Sequence, residues 1–519
     1  MKQIIHVLNT YRSSILAGIL VGTSYIPFPP WALLFCLVPL WCYWWQAPNW
    51  RRVFWSGWIS QFLLALIGFH WVAYTAFEFG HFPWPLAFLI LLVFASLANL
   101  HLVIPGLVFF FLHKRFPLRP WQAALFLPSL TVLIESQAPM IFPWNFGYPW
   151  YYSGLPIYQI ADSIGFVGLS AVSLLINGWF FWAWIQPQRA RAVGRTLLLV
   201  AALFTGLNFL GMIHVQRLPT PNRQLRVALV QGNIGNLEKQ IAEHQGRFRE
   251  AITNTYFRLT REALRQSPVD LMVWPETAFP DYADDGFSKT RYPHLLRSFI
   301  KENSTSLLTG AYSTEGDDRK VYNGMFLFNA NGQLIAPAYR KSILLAFGEY
   351  LPGAQYFSFL SRWLPQVSQF ARGPGPTVWR WQGVKIGLQI CYEGLFPEFS
   401  KTLSDLEANL FFNVTNDSWF GRYFEPYQHL YMTFARAIEF RRPIVRTTNT
   451  GISTAVLANG EILQRTPQNQ EATLNLTVGY LDQPPRTIYQ RFGSYWPWLL
   501  LLLIGLSLPW NFSGRRPNG

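Results

Sequence analysis

VKIGLQICYE, residues 384–393, carries an apolar, β-branched run that ends abruptly in a thiol flanked by an aromatic residue and an acid. Seven residues of this kind read as a buried strand, and Cys391 then stands where the strand opens into its following loop. Runs of the same character recur on both sides, at 225–231 (LRVALVQ), 270–274 (DLMVW), 306–312 (SLLTGAY), 322–329 (YNGMFLFN) and 409–414 (NLFFNV). Polar-periodic stretches at about 240–266, 290–303 and 424–440 separate them and predict helices. Such alternation predicts a layered α/β fold with chemistry at strand ends.

The rest of the chain is of another kind. Over 519 residues the sequence is 51% hydrophobic and only 13% charged, with 17% aromatics, which excludes a disordered chain. Residues 1–214 hold ten Lys or Arg and three acids (Glu78, Glu135, Asp162) among apolar runs long enough to cross a hydrocarbon core of ~30 Å. These predict a polytopic α-helical membrane protein of about eight spans, near 13–28, 31–47, 54–76, 84–112, 120–136, 164–185, 196–214 and 494–511. The domains expected are then 1–214 (seven spans), 215–493 (an inserted α/β domain) and 494–519 (the last span and a tail). Lys2 and Arg12 precede an apolar run as in a signal peptide, but six further spans follow, so a cleaved leader explains little.

The net charge of +15 suggests nucleic acid only until it is placed. Lys2, Arg12, Arg51, Arg52, Lys114, Arg115, Arg119, Arg189, Arg191, Arg195, Arg515 and Arg516 all fall on one side of the expected spans. The alternate loops near 28–30, 77–83 and 137–163 carry no Lys or Arg. The positive-inside rule therefore puts both termini in the cytoplasm and residues 215–493 outside it. No nucleic-acid partner is implied. The loop at 143–152 (PWNFGYPWYY) reads as an aromatic belt at the membrane interface, with a direct substrate role as the alternative. Glu135 and Asp162, near span ends, read as interfacial.

Three strand ends carry candidate chemistry. Strand 270–274 runs into Pro275-Glu276-Thr277, which leaves a carboxylate at the mouth of the sheet, suited to a general base. In 339–352 (YRKSILLAFGEYLP) Lys341 and Glu349 are eight residues apart. At 391–393 a thiol adjoins an acid, and a thiol near pKa 8.5 needs a base or cation to act as a nucleophile. Each residue alone has a plainer reading: a small buried hydrophobe, a solvated charge, a turn former. Cys391 is the only cysteine in 215–493, the others being Cys36 and Cys42, so it has no disulfide partner there. No HExxH, CxxC, Walker or GxGxxG pattern occurs, and Gly451-Ile452-Ser453 lacks the second glycine of a GxSxG elbow; neither metal nor cofactor is expected.

WPET at 274–277, the YRK…FGEYLP segment and ICYE at 390–393 resemble the Glu–Lys–Cys triad of the nitrilase (carbon–nitrogen hydrolase) superfamily, and NVTNDSWFG at 413–421 resembles its sheet and loop beyond the cysteine. With a membrane frame and QHLYMTFARAIEFRRPIVRTTNTGIS at 428–453, the chain is similar over nearly its whole length to the bacterial apolipoprotein N-acyltransferases. The resemblance implies a nitrilase-like αββα sandwich in the bacterial inner membrane, facing the periplasm. It implies acyl transfer from a membrane phospholipid, phosphatidylethanolamine foremost, to the α-amino group of a diacylglyceryl-cysteine on an apolipoprotein, through a cysteine thioester. Cys391 becomes the nucleophile, Glu276 the general base and Lys341 the oxyanion stabiliser, with Glu349, Tyr392 and Glu393 in support. The greasy stretch 350–372 reads either as a flap over the domain core or as an arm reaching into the outer leaflet. Its Tyr356, Phe357, Phe359 and Trp363, together with Trp419, become candidate substrate contacts. One departure stands out: many relatives carry Lys-Trp where this chain has Lys239-Gln240. Rival readings are a membrane-tethered amidase using the same triad on a soluble amide or nitrile, and a transporter with an outer binding domain, the latter weakened by sparse ionisable groups in the spans.

Overall fold

The computed structural model describes every residue except 1, 99, 236–245, 285–290, 315–319, 355, 357, 358, 360, 361, 363–366, 368, 369 and 510–519. The chain divides into two compact units. One comprises Met1–Val72, Phe88–Gln216 and Arg491–Gly519; the other comprises Ala73–Ala87 and Arg217–Gln490. The short Ala73–Ala87 segment thus joins the α/β unit, although the sequence reading placed it within the first seven spans.

The first unit is helical. Among the described residues three helices are long and apolar enough to cross a membrane: Trp84–Arg115, Pro156–Trp184 and Arg189–Gln216. A pair bent by 60°, Trp50–Gly68 and Trp71–Glu78, makes a fourth if it is one span. In Arg189–Gln216 only Thr196, Val200 and Gly211 are buried, while Leu197, Leu198 and Leu199 are exposed. A helix that leaves leucines outward in this number suits a hydrocarbon solvent. The segment expected at 31–47 is helical only over Val38–Trp45, eight residues rising about 12 Å, and that at 494–511 mainly over Trp496–Ser507.

Two polar features differ from expectation. The aromatic loop at 143–152 is interior, with Trp144, Phe146, Tyr148, Trp150 and Tyr151 all buried; Trp144 packs edge-on against Tyr25 at 5.3 Å. Glu135 is also buried and accepts hydrogen bonds from Phe146 N (3.0 Å) and Ser170 Oγ (2.6 Å), so it anchors that loop.

The second unit contains twelve strands among the described residues: β1 (Arg223–Gln231), β2 (Leu271–Val273), β3 (Phe279–Tyr282), β4 (Ser306–Ser313), β5 (Tyr322–Phe328), β6 (Tyr339–Arg340), β7 (Val378–Trp381), β8 (Val384–Ile390), β9 (Leu410–Thr415), β10 (Ile444–Thr448), β11 (Thr454–Val456) and β12 (Ala472–Tyr480). They form two sheets. One has the order β12-β1-β2-β4-β5-β6 with β3 on β4; the other runs β11-β10-β9-β8-β7. The parallel pairs β1–β2, β2–β4, β8–β9 and β9–β10 lie at the centre of each sheet, and antiparallel strands close the edges.

Each sheet has its own helices. Helix Gly246–Gln266 presents Ile252, Tyr256, Leu259 and Ala263 to the first sheet at intervals of three and four, and helix Tyr292–Asn303 adds Leu296, Phe299 and Ile300. They meet Met272, Trp274, Leu307 and Phe326 in one core, where each fully buried large side chain is worth about 1.5–3 kcal/mol. Helices Pro397–Asp405 and Glu425–Phe440 serve the second sheet, and the latter is buried nearly all round. The sheets are joined at Gln231, whose Oε1 accepts from Thr448 (3.3 Å), Ser453 (2.8 Å) and Thr466 (2.8 Å). The layers are therefore helix, sheet, sheet, helix.

Candidate active site

β2 ends at Val273, and Trp274-Pro275 turns the chain so that Glu276 lies buried above the sheet. The turn is tight. Thr277 takes a left-handed φ of 48°, and β4 passes directly beneath at Gly310, where a Cβ would lie 2.5 Å from Thr277 N and 2.7 Å from Glu276 Cα. Only glycine lets β4 come so close.

Lys341 leaves the end of β6, its own N–H donating to Asn323 O at 2.9 Å. Its Nζ donates to Glu276 Oε1 at 3.1 Å and to Glu349 Oε1 at 2.8 Å, with all three side chains buried. Burial opposes the ammonium, but Glu276 and Glu349 outweigh it and hold Lys341 well above its ordinary value. Two of the three Nζ hydrogens are used among the described residues, leaving one for an incoming oxyanion. Asn323 Nδ2 bonds both carboxylates, at 2.6 Å to Glu276 and 3.0 Å to Glu349. Asn416 N donates to Glu276 Oε2 at 2.8 Å, and Leu345 N to Glu349 Oε2 at 2.9 Å.

β8 delivers Cys391, buried, with a left-handed φ of 52°. For a residue with a Cβ this conformation costs about 1–3 kcal/mol, which surrounding contacts must hold. Glu393 supplies several of them. Its Oε2 accepts from Ile390 N (2.8 Å) and Tyr339 OH (2.7 Å), and its Oε1 from Ser342 N (2.7 Å) and Ser342 Oγ (3.0 Å). One carboxylate thus ties the cysteine turn to the lysine loop. Burial pushes Glu393 up, against the backbone N–H groups that favour its charge. Burial and then the Glu276 charge push the Cys391 thiol well above its ordinary value, with Lys341 pulling it down. The resting thiol is neutral at neutral pH.

The structure therefore brings Glu276, Lys341, Glu349, Cys391 and Glu393 together. Tyr392 is buried beside them, edge-on to Phe396 at 5.0 Å. Trp419 lies behind Gly348 and stacks on Phe79 with centroids 3.9 Å apart. Tyr356 and Phe359 are exposed, at 78% and 46%. Phe357, Trp363 and the Lys239-Gln240 pair lie outside the described residues. Asn323 and the Asn416 N–H were not singled out from the sequence, where they read as part of a strand and of a loop.

The arrangement can perform acyl transfer: a neutral thiol beside a carboxylate acceptor, and a fixed ammonium for charge developing on a carbonyl oxygen. Comparison with known proteins agrees in kind. Residues 226–482 match the carbon-nitrogen hydrolase family, and residues 17–179 the apolipoprotein N-acyltransferase N-terminal domain. An apolipoprotein N-acyltransferase of Bdellovibrio bacteriovorus is 45% identical over 510 residues, covering 96% of this chain and 93% of that protein. One from Geobacter metallireducens is 32% identical over 504 residues, covering 94% and 92%. A solved amidase from Nesterenkonia sp. is 18% identical, covers 52% of this chain and 94% of that one, and has a TM-score of 0.34. With both family domains present in order and a 45% identical relative matched along almost its full length, the chain belongs to the apolipoprotein N-acyltransferase family.

Proposed function

We propose that this protein acylates apolipoproteins in two half-reactions at Cys391. Glu276 takes the thiol proton as Sγ attacks an ester carbonyl of a membrane phospholipid, phosphatidylethanolamine foremost, and Lys341 holds the oxyanion. The C–O bond then breaks, the lysophospholipid leaves with the proton returned from Glu276, and a thioester remains. The α-amino group of a diacylated apolipoprotein attacks that thioester, Glu276 accepting its proton, and the thiol is restored as the amide forms. Glu349 keeps the ammonium charged and aimed; Glu393 and Tyr392 hold the nucleophile's turn. A preorganised oxyanion donor of this kind is worth about 2.7–4 kcal/mol in the transition state.

The Lys or Arg distribution supports placing both termini in the cytoplasm and the α/β unit in the periplasm of a bacterial inner membrane, with about eight membrane-crossing segments, some shorter than a full span. The observation that carries the reading is the buried Lys341 ammonium, 3.1 and 2.8 Å from two carboxylates and beside a buried, conformationally held cysteine. The test is incubation of the full-length protein with acyl-labelled phosphatidylethanolamine. Label is expected on Cys391 as a hydroxylamine-sensitive adduct that moves to a diacylated lipopeptide with a free N-terminus. Equal labelling of Cys391→Ala would sink the mechanism; transfer to water or to a soluble amide acceptor alone would favour the amidase reading.

A further inference from the structure

Beneath the triad lies a second buried charge cluster that none of the proposed steps uses. Asp417, Glu425, His429 and Arg446 are all buried. Ligand atoms of the first three lie within 4.8 Å of one another, as in a metal site. Arg446 already supplies the cation there: its Nη2 is 3.0 Å from Asp417 Oδ2 and 3.2 Å from His429 Nδ1, so a metal ion would face a fixed guanidinium. Gly451 closes the far side, where a Cβ would come within 2.1 Å of Asp417 Oδ2.

What the guanidinium holds points elsewhere. β9 and β10 pair in parallel with Asn413 opposite Arg446, and Arg446 Nη1 donates to Asn413 Oδ1 at 2.7 Å. The two ends of an asparagine amide are nearly equal in shape, and a donor-only group on one end fixes which end faces the other way. The end so turned, Nδ2, donates to the Cys391 carbonyl at 3.1 Å. On its other arm Arg446 binds Asp417, and the neighbouring Asn416 N–H is the donor to Glu276 Oε2. His429 Nδ1, 3.0 Å from Asp417 Oδ1, buttresses the carboxylate.

We propose that Asp417, Arg446 and Asn413 form a positioning bridge that fixes the strained Cys391 turn and the Glu276-binding loop relative to each other. It acts on the acylation step and not on phospholipid binding. The proposal rests on the triad reading above. A role in charge balance alone would be served by any cation, whereas the bridge needs the planar fork of arginine, which reaches Asn413 and Asp417 at once.

The test measures single-turnover formation of the Cys391 thioester by the full-length protein, at varied concentrations of labelled phosphatidylethanolamine, alongside the thermal midpoint. Arg446→Lys is expected to slow acylation about 10- to 100-fold with half-saturation changed less than about threefold, as for a small misplacement of reacting groups. Should that variant fail to fold, the pair Asp417→Asn/Arg446→Gln removes both charges together, which buried ion pairs tolerate better than loss of one. It is expected to show the same slowed rate at unchanged half-saturation. A folded variant of either kind that acylates at the wild-type rate, or that changes half-saturation alone, overturns the bridge. Absence of any wild-type adduct at Cys391 overturns the triad reading instead.

Discussion

Replacing Glu276 by Gln separates two effects of one carboxylate: the proposed acceptance of the thiol proton, and the opposition of its charge to formation of the thiolate. Its Oε1 faces two donors, Lys341 Nζ at 3.1 Å and Asn323 Nδ2 at 2.6 Å, and its Oε2 faces Asn416 N at 2.8 Å. The amide has a single acceptor end, so its better orientation keeps the carbonyl on Lys341 and Asn323 and turns its NH₂ against the Asn416 N–H. One buried donor is then unpaired, a loss of about 1–3 kcal/mol in stability. Loss of the base is expected to slow thioester formation about 10²–10⁴-fold, or roughly 2.7–5.5 kcal/mol at 1.36 kcal/mol per tenfold. The thiol should respond in the opposite sense. After burial, Glu276 is the strongest influence raising the Cys391 value, and Lys341 the counterweight. Glu276→Gln removes the first and keeps the second, so the thiol becomes more acidic. Iodoacetamide alkylation of Cys391, followed by peptide mass spectrometry across a pH series, should show its inflection displaced to lower pH in the variant while acyl transfer collapses. An inflection that stays or moves upward, in a variant that still melts cooperatively, would refute this account of the site's electrostatics.

Lys341→Met leaves the Glu276 and Glu349 carboxylates facing each other across the vacated ammonium position. A loss of about 3–5 kcal/mol is expected, read as a lowered thermal midpoint, with no thioester formed; a variant that melts like wild type or still acylates would contradict it. Gly310→Ala drives a Cβ into backbone atoms of the Glu276 turn, so about 1–3 kcal/mol of stability and most acylation should be lost although residue 310 touches no substrate; unchanged single-turnover kinetics would contradict it. Glu393→Gln tests linkage. Burial raises the folded value of Glu393 above the unfolded 4.5, so its contribution is fully present below pH 4.5 and is lost as pH rises through the folded value. The stability advantage of wild type over the variant, read from thermal midpoints, should shrink as pH rises through that window.

How much of this was legible in the sequence depends on whether a residue's role is local. β1, β4, β8 and β9 are continuous apolar runs because strands with a parallel neighbour at the centre of a sheet are buried on both faces, β5 is equally buried although both its neighbours are antiparallel, and all five read correctly to within two residues. β10 was missed because Arg446 interrupts IVRTT, and a charge in the middle of a buried strand makes sense only with Asp417 beside it. β12, half-exposed along one face, and the two-residue β6 carry too few apolar positions to stand out. In the membrane unit a hydropathic run reports only that a segment prefers an apolar medium. It does not say that the medium is lipid, and the buried aromatic loop at 143–152 has the composition of an interfacial belt while packing as protein core.

The site divides along the same line. Glu276 and Cys391 could be picked out because each sits where a legible strand stops, which is a local signal, whereas Lys341 follows the two-residue β6 and stood out through the resemblance of its YRK…FGEYLP segment. Their electrostatics could not. What sets them is a set of neighbours 26 to 140 residues distant in sequence: Asn323 between the two carboxylates, the Asn416 N–H on Glu276, and Glu393 reaching Ser342. Each supplies a donor or acceptor whose effect is confined to hydrogen-bond range in a buried pocket, where an unmatched polar group is costly. The chemistry is therefore specified twice, by residue types that strand ends advertise and by a partner network that only the folded sheets assemble. Conservative substitutions among the partners should consequently damage acylation while leaving every advertised residue in place.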